Sequence, residues 1–168
     1  MTLLKHEWKM NLKSLVIWTL CVGICCSGCI LLFDSVAESM EEMAKSFAEM
    51  GAFSAAFGMD KMSIATLEGF YATEISIIFL LGGAMFAAMT GAVLLSKEEE
   101  GHTMEFLHTM PVSRTYIYLW KYVALLLLIL VFNVVCIGLD VVGFVIIGEE
   151  IAMAEYVEYH ILALVMQI

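Results

Sequence analysis

Apolar and polar positions along the chain fall into long blocks rather than alternating. Apolar runs cover about Leu15 to Phe33, Ile75 to Leu95 and Val123 to Ile147, and a fourth begins near Tyr159. The first is 19 residues long. At 1.5 Å per helical residue it reaches roughly 28 Å, close to one hydrocarbon thickness. Blocks of helical length argue against a membrane β-barrel, whose strands alternate with a period of two. The pattern predicts an all-α, polytopic transmembrane helical bundle.

Ahead of the first block, Lys5, Lys9 and Lys13 recur every four residues, with Leu4, Trp8 and Leu12 about 100° round the helix. Residues 2–14 are therefore expected to form an interfacial helix, interrupted on its apolar side by Glu7 and Asn11. Span 1 follows at 15–33 and an acidic external loop at 34–74. Within that loop Met40, Met43, Ala44, Phe47 and Met50 keep helical spacing, opposite Glu38, Glu41, Glu42, Lys45 and Glu49. A separate surface helix is expected there, with Glu41 and Lys45 as an i,i+4 pair. Span 2 is expected at 75–96. Its Gly83, Ala87 and Gly91 recur every four residues, as do Ala84, Ala88 and Ala92, the spacing that lets membrane helices approach closely. Residues 97–114 form a charged connection, 115–147 span 3, and 159–168 the start of a span 4. About ten residues cannot cross a bilayer, so the sequence reads as the N-terminal part of a larger bundle.

Composition sharpens this picture. The chain has 168 residues, 62% of them hydrophobic, and a single proline. Soluble domains are about 45–50% apolar. The net charge of −10 says little about partners, because membrane orientation follows Lys and Arg near the span ends. Those cations cluster before span 1 and between spans 2 and 3, as Lys5, Lys9, Lys13, Lys97, Arg114 and Lys121. The N-terminus and the 97–114 segment are thus expected in the cytoplasm. Tyr116, Tyr118, Trp120 and Tyr122 mark a headgroup interface at the start of span 3.

Candidate chemistry is sparse. Cys21, Cys25, Cys26 and Cys29 lie in an apolar run and read as small packing residues; the lone CxxC lacks the second ligand pair of a metal site. No catalytic set, nucleotide-binding P-loop, metal site or nucleic-acid patch is expected. Asn133 and Asp140 are the polar residues of span 3. They are substrate-pathway candidates, with an interhelical hydrogen bond the alternative for Asn133 and solvation near the outer boundary the alternative for Asp140.

The 97–114 connection is more elaborate than a linker needs to be. Gly101 is suited to a left-handed conformation that ends the helix bearing Glu98, Glu99 and Glu100. Thr103 is expected to cap a short helix with Glu105 in its first turn. Phe106 and Leu107 lie on that helix, Pro111 ends it, and Ser113 caps the next. Two turns of helix are unstable alone and require a packing partner.

The stretch Glu98-Glu99-Glu100-Gly101-His102-Thr103-Met104-Glu105-Phe106-Leu107, then Met110-Pro111-Val112-Ser113-Arg114 and Lys121, resembles the first cytoplasmic loop of type-2 ABC transporter permeases. The start of the chain is similar to that family's elbow helix, and residues 58–70 to its first external loop. His102 departs from the pattern as an insertion before Thr103, and Tyr116 stands where an acidic capping residue is common. The resemblance implies the membrane permease subunit of an ATP-driven exporter in the plasma membrane. Its partners would be a cytoplasmic ABC ATPase subunit, a second permease subunit, identical or different, and membrane lipid. ATP and Mg would be bound by the ATPase, with no cofactor on this chain. By the same implication Glu98, Glu99, Gly101, Thr103, Glu105, Phe106, Leu107, Pro111, Ser113 and Arg114 form the coupling element seated on the ATPase. Without the resemblance, a non-transporting membrane scaffold, anchor or truncated permease fragment accounts for the same pattern. The cation placement predicts that a topology reporter inserted at Ser54 reads out on the extracytoplasmic face; a cytoplasmic signal would reverse the orientation.

Overall fold

The computed structural model describes residues 2–51, 63–102, 113–148 and 153–168. Helix α1 is Thr2–Ala48. A four-residue α2, Leu67–Phe70, passes through a π-helical turn, Tyr71–Ile75, into α3, Ser76–Glu100. Helix α4 is Arg114–Ile147 and α5 is Met153–Gln167. Helices Leu4–Ala48, Leu67–Leu94 and Arg114–Ile147 contain stretches long and apolar enough to cross a membrane. The described residues contain no strand. The architecture is an all-α membrane bundle in which α1 packs most extensively along α4, and α3 lies between α1, α4 and α5.

The expected interfacial helix, first span and surface helix run together as α1, 47 residues without interruption. At 1.5 Å per residue that is about 70 Å, more than twice a hydrocarbon thickness. No proline interrupts it, and one inward-facing row continues along it: Glu7, Asn11, Leu15, Val22, Cys26, Ile30 and Phe33, all buried, then half-buried Ala37 and Met40. The Glu41–Lys45 pair forms at 2.7 Å on its exposed far end, where such a pair adds little stability. Span 2 likewise begins earlier than its apolar run. Thr66 caps α2 through an Oγ1 contact with the Gly69 amide at 3.1 Å, and the helical path then leads through the π turn. Over the residues expected for span 3, α4 forms one helix from Arg114 to Ile147. Ser113 caps it as expected, its Oγ accepting from the Tyr116 amide at 3.2 Å.

At the end of α3 the expected glycine geometry shifts by one residue. Gly101 has φ −78 and stays right-handed, whereas His102 has φ 54 and takes the left-handed position. Histidine is among the non-glycine residues that tolerate this region.

The outer surface is apolar: Ile17, Ile24, Leu81, Met89, Leu130, Val145 and many others are exposed. This surface suits lipid rather than water. Cys21 and Cys25 are exposed, and Cys26 and Cys136 are buried as free thiols in the core. Small residues on α3 work as expected on one row. Gly83 and Ala87 are buried, and Gly91 sits beside Leu125, while Ala88 and Ala92 are exposed. The centre is an aromatic stack, with Phe132 of α4 between Phe79 and Phe86 of α3 at ring distances of 6.0 and 4.8 Å. Phe132→Ala should leave a cavity there and destabilise the bundle by about 3–5 kcal/mol, measured as a lower unfolding midpoint in detergent titration; an unchanged midpoint would contradict this packing.

Candidate functional site

Glu7, the acid that interrupts the apolar side of the N-terminal helix, is the organising residue. Its side chain is 0% exposed. Oε1 accepts from Lys121 Nζ of α4 at 3.0 Å, and Oε2 accepts from Lys97 Nζ of α3. Lys121, itself buried, also donates to the Leu94 carbonyl at 2.8 Å. Asn11 lies one turn beyond Glu7, and its Nδ2 donates back to the Glu7 carbonyl at 2.8 Å. Three helices, α1, α3 and α4, therefore meet on one carboxylate.

The two lysines bracket the segment singled out in the sequence. Lys97 lies in the last turn of α3 and Lys121 in the third turn of α4, so both stems of the connection are tied to the same acid. Of the expected coupling residues, Glu98 and Glu99 lie in that last turn of α3, Gly101 caps it, and Ser113 and Arg114 begin α4. Glu99, Ser113 and Arg114 are exposed. Thr103, Glu105, Phe106, Leu107 and Pro111 lie outside the described residues. The stems are shaped by backbone bonds: the Gly101 amide donates to Lys97 O at 2.9 Å, and His102 to Glu99 O at 3.2 Å. Tyr116 and Trp120, expected at the headgroup level, make an edge contact at 6.0 Å just past the second stem.

Deeper in the bundle Asn133 takes the interhelical alternative. Its Nδ2 donates to Gln167 Oε1 of α5 at 2.6 Å and to the Ile129 carbonyl at 2.8 Å. Gly83 makes room for this pair, since a Cβ there would overlap the Gln167 amide. Asn133 Oδ1 and Gln167 Nε2 have no hydrogen-bond partner among the described residues.

Asp140 does not take the solvated alternative. It is 0% exposed and accepts at Oδ2 from the Tyr71 hydroxyl at 3.0 Å. That hydroxyl is also 3.0 Å from His160 Nε2 of α5. The sequence does place Asp140 near a boundary. Tyr71 bonds to it, and the rings of Phe144, Tyr156 and His160 pack against Tyr71, so the carboxylate is fully buried.

Sequence reasoning left Glu7, Tyr71, His160 and Gln167 outside the site. Glu7 carried a signal, as the single acid within an apolar row. The other three gain their partners only through contacts between distant segments.

A family model described as an ABC-2 family transporter protein matches residues 1–168. The chain belongs to the ABC-2 transporter family. No curated protein and no solved structure matches the chain. As an ABC-2 permease it is an integral membrane component of an ABC transporter and not itself an enzyme. Within this permease the Glu7 cluster joins a fully buried acid to two lysines from different helices. Removing one partner of a buried pair typically costs 3–5 kcal/mol, whereas apolar replacement of the whole set can be neutral. Glu7→Ala should therefore destabilise the permease by about 3 kcal/mol or more, and the Glu7→Leu, Lys97→Met, Lys121→Met triple variant by less. Detergent unfolding of the two variants checks the order, which would be reversed if the lysines were solvated.

Proposed function

We propose that this ABC-2 permease is the membrane subunit of an exporter in the plasma membrane, with its N-terminus and the 97–114 connection in the cytoplasm. A separate ATPase binds ATP and Mg and seats the short coupling helix between the two stems. A second permease subunit, identical or different, completes the pathway. The observation that carries this reading is the meeting of Lys97 and Lys121 on Glu7. A connection that only joins two spans needs no such anchorage. One that transmits a displacement does, because a loose stem would absorb the motion.

In this mechanism ATP-driven closure of the ATPase moves the coupling helix. The stems pass that movement into α3 and α4 together, because the Glu7 carboxylate holds them in register with α1. The bundle then shifts between two packings instead of deforming smoothly. Glu98, Glu99, Gly101, Thr103, Glu105, Phe106, Leu107, Pro111, Ser113 and Arg114 make or shape the ATPase contact. Asn133 is a pathway residue in the shifted state. Its Oδ1 and the Gln167 Nε2, without partners among the described residues, would meet the transported molecule once α5 moves away from Gly83.

A cysteine at Phe106 should crosslink to the co-expressed ATPase, and Glu105→Lys should weaken the complex. Full co-purification and transport by the Phe106→Asp, Leu107→Asp double variant would refute the coupling assignment.

A further inference from the structure

The Tyr71, Asp140 and His160 cluster has no part in the coupling reading, and it is built like a binding site. Asp140 lies nineteen residues beyond Lys121 on α4, so the cluster is about 28 Å from the Glu7 site along the helix. That is the full thickness of a hydrocarbon core. The cluster joins three segments distant in sequence. Tyr71 opens the π-helical turn, Asp140 is on α4, and His160 is on α5. π-helical turns recur at functional sites. All three side chains are buried.

The hydrogen bonds do not close. Tyr71 has one hydroxyl proton for two neighbours, Asp140 Oδ2 and His160 Nε2. Asp140 Oδ1 and His160 Nδ1 are buried with no partner among the described residues. The charge balance is also open. The titratable groups against the cluster are Tyr156 and Tyr159 from α5, Cys136 from α4 and Cys26 from α1. Farther out are the carboxylates Glu68 and Glu74 on the segment leading into α3, and Glu155 and Glu158 on α5. None of these is a cation. Among the described residues, Lys5, Lys9 and Lys13 lie in the first four turns of α1 and Arg114 at the start of α4, toward the end where Lys97 and Lys121 are engaged by Glu7, and Lys45 is bonded to Glu41. A carboxylate buried without a cation is costly, and gaining a proton is the usual remedy.

We propose that Tyr71, Asp140 and His160 form a site that binds one exchangeable proton. The loaded site holds this proton in two interchanging forms, and in one of them His160 carries protons on both ring nitrogens and Asp140 is ionised. Nε2–H donates to the Tyr71 oxygen, and the Tyr71 hydroxyl donates to Asp140 Oδ2. The Nε2 proton can pass to the Tyr71 oxygen as the Tyr71 proton passes to Oδ2. That leaves neutral imidazole, an intact tyrosine hydroxyl and a carboxylic acid, with no proton gained or lost. Release occurs from Nδ1 of the imidazolium and leaves a net negative charge buried among apolar rings. Proton binding therefore favours the docking of α5 on α4 and the π-helical turn, and rising pH loosens it.

Infrared titration of the full chain in lipid nanodiscs tests the site between about pH 4.5 and 8.5, which brackets the ordinary carboxylate and histidine ranges. The expected result is a protonated-carboxyl band that fades as pH rises and is missing in Asp140→Asn. Tyr71→Phe keeps the ring and removes the relay, and His160→Gln removes the exchangeable nitrogen. Each should shift the midpoint by at least about one pH unit, a tenfold change in proton affinity. Nitrogen NMR of the wild-type histidines requires no carboxylate variant. It should show one resonance, lost in His160→Gln, titrating with the same midpoint as the band. A wild-type carboxyl band and His160 resonance that stay constant across this range would overturn the proposal, as would a midpoint unmoved by both Tyr71→Phe and His160→Gln.

Discussion

One carboxylate sets the arrangement of the rest of this bundle. Glu7 is removed from solvent and holds two lysines that arrive from different helices. Such a cluster is a poor source of net stability, because the desolvation of three charges offsets most of their attraction. What it supplies is register. Neither lysine can slide along α1 by a turn without leaving a charge buried and unpaired. The penalty for that slip, several kcal/mol, is what fixes α3 and α4 relative to the N-terminal helix. The apolar contacts elsewhere in the bundle tolerate small displacements far better than this ion cluster does.

The same logic orders the interior. Lipid is as apolar as the side chains that face it, so little is gained by hiding leucine and valine. Polar groups have no such freedom and must find partners inside. The buried set accordingly includes Glu7, Asn11, Thr19, Thr90, Lys121, Asn133, Asp140, His160 and Gln167. Along α4 these groups form tiers. Lys121 is near one end, Asn133 about 18 Å farther and Asp140 about 28 Å farther. The stack of Phe79, Phe132 and Phe86 fills the space beside the middle tier, and Phe79 packs edge-on against His160 at 4.7 Å. The tiers are thus separate polar islands in an aromatic and aliphatic matrix.

This inversion explains what the sequence could and could not convey. Span 3 was legible because a serine cap, an aromatic belt and a long apolar run agree on its limits. The row of Gly83, Ala87 and Gly91 was legible because small side chains mark close approach in either solvent. The face of α1 was misleading. In water an acid on an apolar row reads as an interruption, whereas in lipid it marks the side that faces protein. Leu12, expected on the apolar row, is exposed, and Asn11 beside it is buried. Asp140 misled in a related way, since its surroundings came from Tyr71 and His160, distant in sequence. The continuity of α1 was hidden by composition. The acids after Phe33 suggested a new element, yet helical backbone bonds are indifferent to whether the side chains face lipid or water.

The clamp and the proton site are mounted on the same helix, and this limits how independent they can be. Between Lys121 and Asp140, α4 is unbroken, with its backbone bonded throughout. A tilt or shift that follows the stems at Lys121 is therefore delivered to Asp140 without much loss. The Tyr71–Asp140 bond at 3.0 Å is already at the long end of the O–H···O range, and a displacement of about half an ångström weakens both Tyr71 bonds sharply. The two ends differ in how they can respond. Glu7 and its lysines hold fixed charges and keep one register. The Tyr71 cluster can change its charge by one proton and so has two states of unequal packing strength. A rigid rod with a fixed joint at one end and a switchable one at the other favours discrete positions over a continuum.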